Sequence, residues 1–565
     1  MDKFYSKSIL ENNENDFSFK RKKSDLNIQF NRVAFIFFIF FIIYLIYTIH
    51  LLHLGSRSSD IIKSSSQDIV SPLFRANIVD INGNYLAKTV SSTDIGINPA
   101  EVINKQKLLI NLKYIFPNKN FKEIKSKLQK NKFFWIEKRV SEEKYEQLMK
   151  LGDKSIKPEK KILRIYPQKN LFSHLIGQID SDNMGISGIE KSQNYNLKKS
   201  KTPIQLTLDS DLQFLVREEL LRFNSIFQTK GSGAILMNIN NGNILSLVSL
   251  PDFDPNKRVK IIDKNYINRI TKGVYELGSV FKTFTLAAAL DEKIIKIDKK
   301  FLDLEKSIKC DKYTIREYDN KIPKDLTAEE ILIRSGNIGS VRIGQKLGIE
   351  KFKSFLIKIN VINEIKFDIE EVGIPIPFKW GKCKLATTSF GHGITTTPLQ
   401  LAKGYAIISN GGFDIKPTII KDNNDKLIKY KKRLIRKDVS EKINSILRKI
   451  VTTEEGTASL ANVAGYEIGG KTGTAEKIIS GKYSDKKKIN TFASIFPMSD
   501  PKYVLVVILD EPQRNEEYIY NYRDGSNFKL KGSPRNTSGW TTVEVTGHII
   551  EKIGPILATK YMEIN

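Results

Sequence analysis

Cysteine is nearly absent from this sequence. Its 565 residues hold two, Cys310 and Cys383, far apart and with no C-x-x-C pair, so zinc ribbons and dithiol redox chemistry are not indicated. One disulfide and two separate buried thiols are both open. Histidine is almost as scarce. The five, at positions 50, 53, 174, 392 and 548, show no metal-ligand spacing, and neither a metal nor an organic cofactor is expected. Acidic residues fall short of basic ones, 63 against 91, leaving a net charge of +28. The lysines are scattered along the whole length, with one dense group at Lys20-Arg21-Lys22-Lys23. That distribution suits a membrane surface or an acidic polymer and lacks the concentrated stripe of a nucleic-acid footprint, so nucleic acid is not expected as a partner. No internal repeat is apparent.

Against these absences stands one long uncharged run. Residues 33–54 carry no charged side chain, and about twenty apolar residues cross a bilayer as a helix. The run is longer than a signal-peptide core and no clean small-residue cleavage site follows it, which sets aside the alternative of a cleaved signal. The basic group precedes the span, so residues 1–32 are expected to stay cytoplasmic and the remainder to be exported, anchored in the inner membrane by a single pass. Residues 55–68, rich in serine and charge, read as a stalk.

At this length two or more domains are expected beyond the stalk. Arg75 to Ala87 reads as strand, Asn82-Gly83 turn, strand. Residues 104–154 are helical in spacing and rich in lysine. Residues 69–202 as a whole mix α and β without a catalytic cluster; Ser181-Asp182-Asn183 within them reads as a loop. A strand at 204–208 and a helix capped by Asp209 or Ser210 open the second domain, 203–565. Residues 234–239 and 244–250 form a hairpin across Asn240-Asn241-Gly242-Asn243, and residues 491–496 and 503–509 supply two further strands. Residues 549–553 belong to a closing helix. Strands split by a helical block and joined by hairpins imply an α+β fold with an antiparallel sheet covered by helices.

The chemistry is carried by three short motifs. Gly278-Ser279-Val280-Phe281-Lys282 opens the apolar run Thr283-Phe284-Thr285-Leu286-Ala287-Ala288-Ala289-Leu290, a buried helix on which Ser279 and Lys282 share a face. A serine there has an amine beside it to take its proton and a backbone N–H among the unpaired donors of a helix start. Ser-x-x-Lys also occurs at Ser141, Ser484, Ser499 and Ser526, where the bland reading is an ordinary solvated surface; none of those opens a long apolar helix. Ser335-Gly336-Asn337 falls between two helical stretches and can present a hydroxyl and an amide. Lys471-Thr472-Gly473-Thr474, the one Lys-Thr-Gly in the chain, follows Tyr466-Glu467-Ile468-Gly469-Gly470 on what reads as an edge strand. There the lysine supplies a cation for a substrate carboxylate, and Gly473 lets an extended peptide approach as an added strand. The three motifs lie about 55 and 135 residues apart, in that order.

With these motifs the chain resembles the penicillin-binding proteins, specifically the class B, monofunctional transpeptidases. The likeness extends over Arg75 to Gly83, Gly185 to Lys191, Asp252-Phe253-Asp254-Pro255-Asn256, Tyr275-Glu276-Leu277-Gly278-Ser279, Phe390-Gly391-His392-Gly393 with Thr397-Pro398-Leu399-Gln400-Leu401-Ala402, and Ala475-Glu476-Lys477 after the last motif. It is most similar to the division-specific type (FtsI, penicillin-binding protein 3). Leu277 replaces the proline usual before Gly-Ser, and Trp540-Thr541-Thr542-Val543-Glu544 lacks a small-residue-Pro-Val tail.

The resemblance implies a transmembrane helix, an elongated α+β pedestal and a transpeptidase domain. It implies Ser279 as nucleophile and Lys282 as its base, the amine's pKa lowered by burial and by Lys471. Ser335 relays a proton to the leaving amine and Asn337 orients Lys282 and the substrate amide. Lys471, Thr472, Gly473 and Thr474 bind the terminal carboxylate of a D-Ala-D-Ala stem peptide, with the N–H groups of Ser279 and Thr474 as oxyanion hole. β-Lactams would acylate the same serine. The partners implied are a polytopic glycan polymerase of the SEDS type, met through the span and the pedestal, and other division proteins. Competing readings are an elongation-specific class B enzyme, a D,D-carboxypeptidase, a β-lactamase using Glu441-Lys442-Ile443-Asn444, and a non-catalytic scaffold or β-lactam sensor.

Overall fold

A computed structural model describes residues 34–52, 74–257, 266–311, 313–422, 432–479 and 481–561; the expected cytoplasmic tail and stalk lie outside them. Ala34–Leu52 is one 19-residue helix, α1, long and apolar enough to cross a membrane. It belongs to one compact unit, and the described residues from 74 onward belong to another.

In the second unit the expected first hairpin joins β1 (Ile78–Val79) to β2 (Tyr85–Ile97). Asp80 Oδ1 accepts the N–H groups of Asn82 and Asn84 at 2.9 and 2.8 Å, closing the turn from inside. β2 is long enough to pair with both β3 (Phe134–Val140) and β4 (Ile156–Ile165), each antiparallel. Helices α2 (Lys105–Ile115), α3 (Phe121–Gln129) and α4 (Glu142–Met149) lay Leu108, Leu112, Leu128 and Leu148 onto Ile95, Ile97, Ile136 and Ile156, a core of their own. β1, in contrast, pairs in parallel with β5 (Ile204–Gln205), and Ala76, Ile78 and Leu86 belong to the large core of the following residues. Near this junction the buried Glu190 carboxylate holds Arg75, and its other oxygen takes Arg164 Nε at 2.7 Å.

The large core is built on one sheet. Asp209 caps α5 (Ser210–Ile226), accepting the N–H groups of Asp211 and Leu212 at 2.8 and 3.1 Å. Then β6 (Gly231–Asn238) and β7 (Ile244–Leu250) form the expected hairpin. Helix α6 (Phe281–Asp291) follows, with every residue from Phe281 to Leu290 buried. A helical block comes next: α7 (Asn337–Leu347), α8 (Lys382–Thr388), α9 (Pro398–Ser409) and α10 (Lys437–Thr452). Last are β8 (Gly469–Ile479), β9 (Lys482–Phe496), β10 (Tyr503–Asp510) and the closing helix α11 (Thr542–Lys560). The strand order is β8-β9-β10-β6-β7, antiparallel throughout. Helices cover the sheet, so β10 is buried from end to end and reads as a continuous apolar run without alternation. The architecture is α+β, with β8 on the edge.

Cys310 and Cys383 are joined as a disulfide, their Cα atoms 5.5 Å apart. The sequence left two free thiols equally open; the fold brings a strand end against α8, a pairing invisible at a separation of 73 residues.

Candidate active site

Ser279 does not begin on α6 itself. It sits in a single 3-10 turn, Gly278–Val280, that leads into the helix. Tyr405 on α9 fixes this turn by donating its hydroxyl to Val280 O at 2.8 Å, with Thr283 Oγ1 2.9 Å from the same hydroxyl. Burial holds the Tyr405 phenol far above its usual range, so it stays a donor.

Edge strand β8 presses on this turn backbone to backbone. A Cβ on Gly473 would stand 2.1 Å from Leu277 O, and one on Gly278, whose φ is +66°, would stand 2.6 Å from Thr474 O. The sequence assigns Gly473 to the approach of an incoming peptide; the missing side chain also makes room for the nucleophile turn.

The lysines converge on Ser335. Lys282 Nζ donates to Asn337 Oδ1 at 2.7 Å, to Ser335 O at 2.6 Å and to Ser335 Oγ at 3.2 Å. Lys471 Nζ donates to Ser335 Oγ at 2.8 Å, to Thr472 O at 3.1 Å and to Thr472 Oγ1 at 3.3 Å. Both amines are buried, 1% and 0% exposed. Ser279 is half-buried, and among the described residues no hydrogen bond engages its hydroxyl.

Burial pulls Lys282 down to about 7, against the upward pull of the Glu317 carboxylate. Burial also takes Lys471 well below its ordinary value, and the charge of Lys282 takes it lower still. The sequence reading had Lys471 depressing Lys282. Burial is the larger cause for both amines and their repulsion is mutual, while Lys282 also keeps in Glu317 a carboxylate that favours its charge.

The other face of β8 gathers hydroxyls. Thr472 Oγ1 lies 2.7 Å from Thr457 Oγ1, and Thr474 Oγ1 accepts the Ser538 N–H at 2.9 Å. Thr457, Ser538 and Tyr405 were missed in the sequence. Tyr405 lies inside an apolar helix where only its hydroxyl could have flagged it; Thr457 sits in an irregular segment and Ser538 in a single 3-10 turn, Ser538–Trp540, neither with a periodic signal.

The rival Ser-x-x-Lys serines do local work: Ser141 caps α4, and Ser484 Oγ accepts the Lys487 N–H at 3.3 Å. Glu441 lies exposed on α10, with Asn444 Nδ2 donating to Ser409 O.

Residues 232–525 match the penicillin binding protein transpeptidase domain, and residues 71–219 the penicillin-binding protein dimerisation domain. The chain belongs to the penicillin-binding protein transpeptidase family. It is similar to the probable peptidoglycan D,D-transpeptidase FtsI of Caulobacter vibrioides, 29% identical over 86% of this chain and 82% of that protein. It is likewise similar to stage V sporulation protein D of Bacillus subtilis, 29% identical over 81% and 78%. Among solved structures, penicillin-binding protein 3 of Mycobacterium tuberculosis in complex with aztreonam superposes with a TM-score of 0.65. There the identity is 21%, over 86% of this chain and 97% of the other, a likeness of fold.

Proposed function

We propose that this penicillin-binding protein is a division-specific D,D-transpeptidase, cross-linking peptidoglycan stem peptides through an acyl-enzyme on Ser279. The observation that carries the reading is the Ser335 hydroxyl held between Lys282 and Lys471 beside a nucleophile turn. A lysine near 7 is partly neutral at neutral pH, as a general base must be. Lys282 takes the proton of Ser279 as the serine attacks the penultimate D-alanine carbonyl. Ser335, bridged to both amines, delivers a proton to the departing D-alanine. The N–H groups of Ser279 and Thr474 stabilise the oxyanion, a role supported by the close approach of Gly278 to Thr474. Lys471 and the hydroxyls of Thr472 and Thr474 receive the terminal carboxylate, and Asn337 steadies Lys282. An amine from a second stem peptide then resolves the ester, and a β-lactam enters the first half of the same cycle.

The reading divides the chain into a pedestal (69–202) and a transpeptidase domain (203–565). With α1 as an inner-membrane anchor, the catalytic domain faces outward. A class B enzyme makes no glycan of its own, so a polytopic polymerase is the expected partner at the span and pedestal. A fluorescent penicillin tests the chemistry. Full-length protein in detergent should become stably labelled and Ser279→Ala should not; labelling of the alanine variant, or none of the wild type, defeats the proposal.

A further inference from the structure

Ser335 is held in a left-handed conformation, φ +56°, which costs a residue with a side chain free energy unless its surroundings impose it. What imposes it comes from upstream. Strands Ser307–Cys310 and Tyr313–Arg316 form an antiparallel hairpin, and the next two residues reach the Ser335 turn. Tyr318 donates its hydroxyl to Arg334 O at 2.9 Å, before the turn. After it, Asn337 Nδ2 donates to Arg316 O at 2.8 Å. Between these contacts the Glu317 carboxylate accepts the N–H groups of Asn337 and Ile338, at 2.7 and 2.9 Å. It thereby satisfies two of the unpaired donors that open α7. Three consecutive residues so grip both ends of the turn. Asn337 passes the constraint onward, since its other amide atom accepts from Lys282 Nζ at 2.7 Å.

We propose that Glu317 is a positioning residue for acylation: by clasping the start of α7 it fixes Asn337, and through Asn337 it aims the Lys282 amine at the nucleophile. The inference rests on the acyl-transfer reading above. The hairpin that carries Glu317 is itself anchored, by the disulfide from Cys310 to Cys383 on α8 and by Arg535 Nη1 donating to Asp319 at 3.1 Å. Glu317 has a second influence. Among the described residues, the charged groups facing the Lys282 amine are Lys471 on β8 and Glu317 itself, which draws the amine's pKa upward. A group that only capped a helix would leave the base's titration alone.

The test is acylation of full-length protein in detergent by a fluorescent penicillin, followed against pH. Glu317→Gln keeps the shape and removes the charge. Its plateau rate should fall about tenfold, as expected for a displaced base, and the acid limb should move to lower pH, because Lys282 then loses its proton more readily. Glu317→Asp keeps the charge but is too short to reach both N–H groups, so its rate should fall with the limb in place. A Gln variant with the wild-type rate and profile overturns the proposal. So does one that is slower and less heat-stable with an unmoved limb, which makes Glu317 an ordinary cap. If Glu317→Gln does not fold, the Asp variant decides, and a wild-type rate there overturns the proposal. Wild-type protein that fails to acylate at all refutes the transpeptidase reading, not this one.

Discussion

Lys282 and Lys471 share one acceptor: the Ser335 hydroxyl lies 3.2 Å from the first amine and 2.8 Å from the second. Burial disfavours the charge on both amines, and two ammonium groups on one oxygen also repel each other, so the pair gives up a proton far more easily than either lysine in water. The amine left neutral can then accept the hydroxyl proton of a serine nucleophile.

Removing that oxygen should uncouple the pair. Ser335→Ala is expected to acylate about 100-fold more slowly, the usual scale for a lost proton-transfer group. Time-resolved labelling with a fluorescent penicillin measures it, and a wild-type rate would take Ser335 out of the proton path.

Acylation should rise with pH through about 7, where Lys282 loses its proton, and fall about tenfold for each unit below pH 6. Stability should move the same way. A lysine whose folded pKa is depressed binds fewer protons native than unfolded between about 7 and its ordinary 10.5, so the native state gains as pH rises through that window. Relative to Lys282→Met, the wild type should therefore gain about 2 kcal/mol between pH 7 and 9. Denaturant midpoints check this; a wild type that loses stability relative to the methionine variant on raising the pH would reverse the sign of the argument.

Gly473→Ala should wedge β8 away from the nucleophile turn, since its methyl would meet Leu277 O at 2.1 Å. Backbone cannot yield as a side-chain tip does, so a loss of about 1–3 kcal/mol is expected, together with a steep drop in acylation. Thermal melting and labelling, read side by side, separate the two effects.

Glu190→Gln should be severe although it lies remote in sequence from the catalytic motifs. The carboxylate is fully buried between Arg75 and Arg164; neutralising it strands two buried guanidinium charges, at a cost of about 3–5 kcal/mol. Chemical denaturation with labelling retained at low denaturant is the expected pattern.

What could be read from the sequence was local or periodic. Ser279 and Lys282 are three residues apart, Lys471 to Thr474 are consecutive, and the hairpin about Asn240-Asn241-Gly242-Asn243 follows from turn chemistry. What could not be read needed the fold. Glu317 looks like one more acid in a charged loop until α7 is seen to begin above it. Thr457 meets Thr472, and Tyr405 meets Val280, only after the sheet and its helices close. Gly473 was legible as a required glycine, but not its packing against the nucleophile turn, because Leu277 O approaches from a segment nearly two hundred residues away.

The bond between Cys310 and Cys383 adds a matter of timing. Cytosolic thiols are kept reduced, so under the outward-facing topology proposed above the nascent chain carries this seam open, and it is sewn only once the polypeptide reaches an oxidising compartment. Crossing the bilayer then becomes a maturation step, one that finishes the mount beneath Glu317 in the place where its substrate is met.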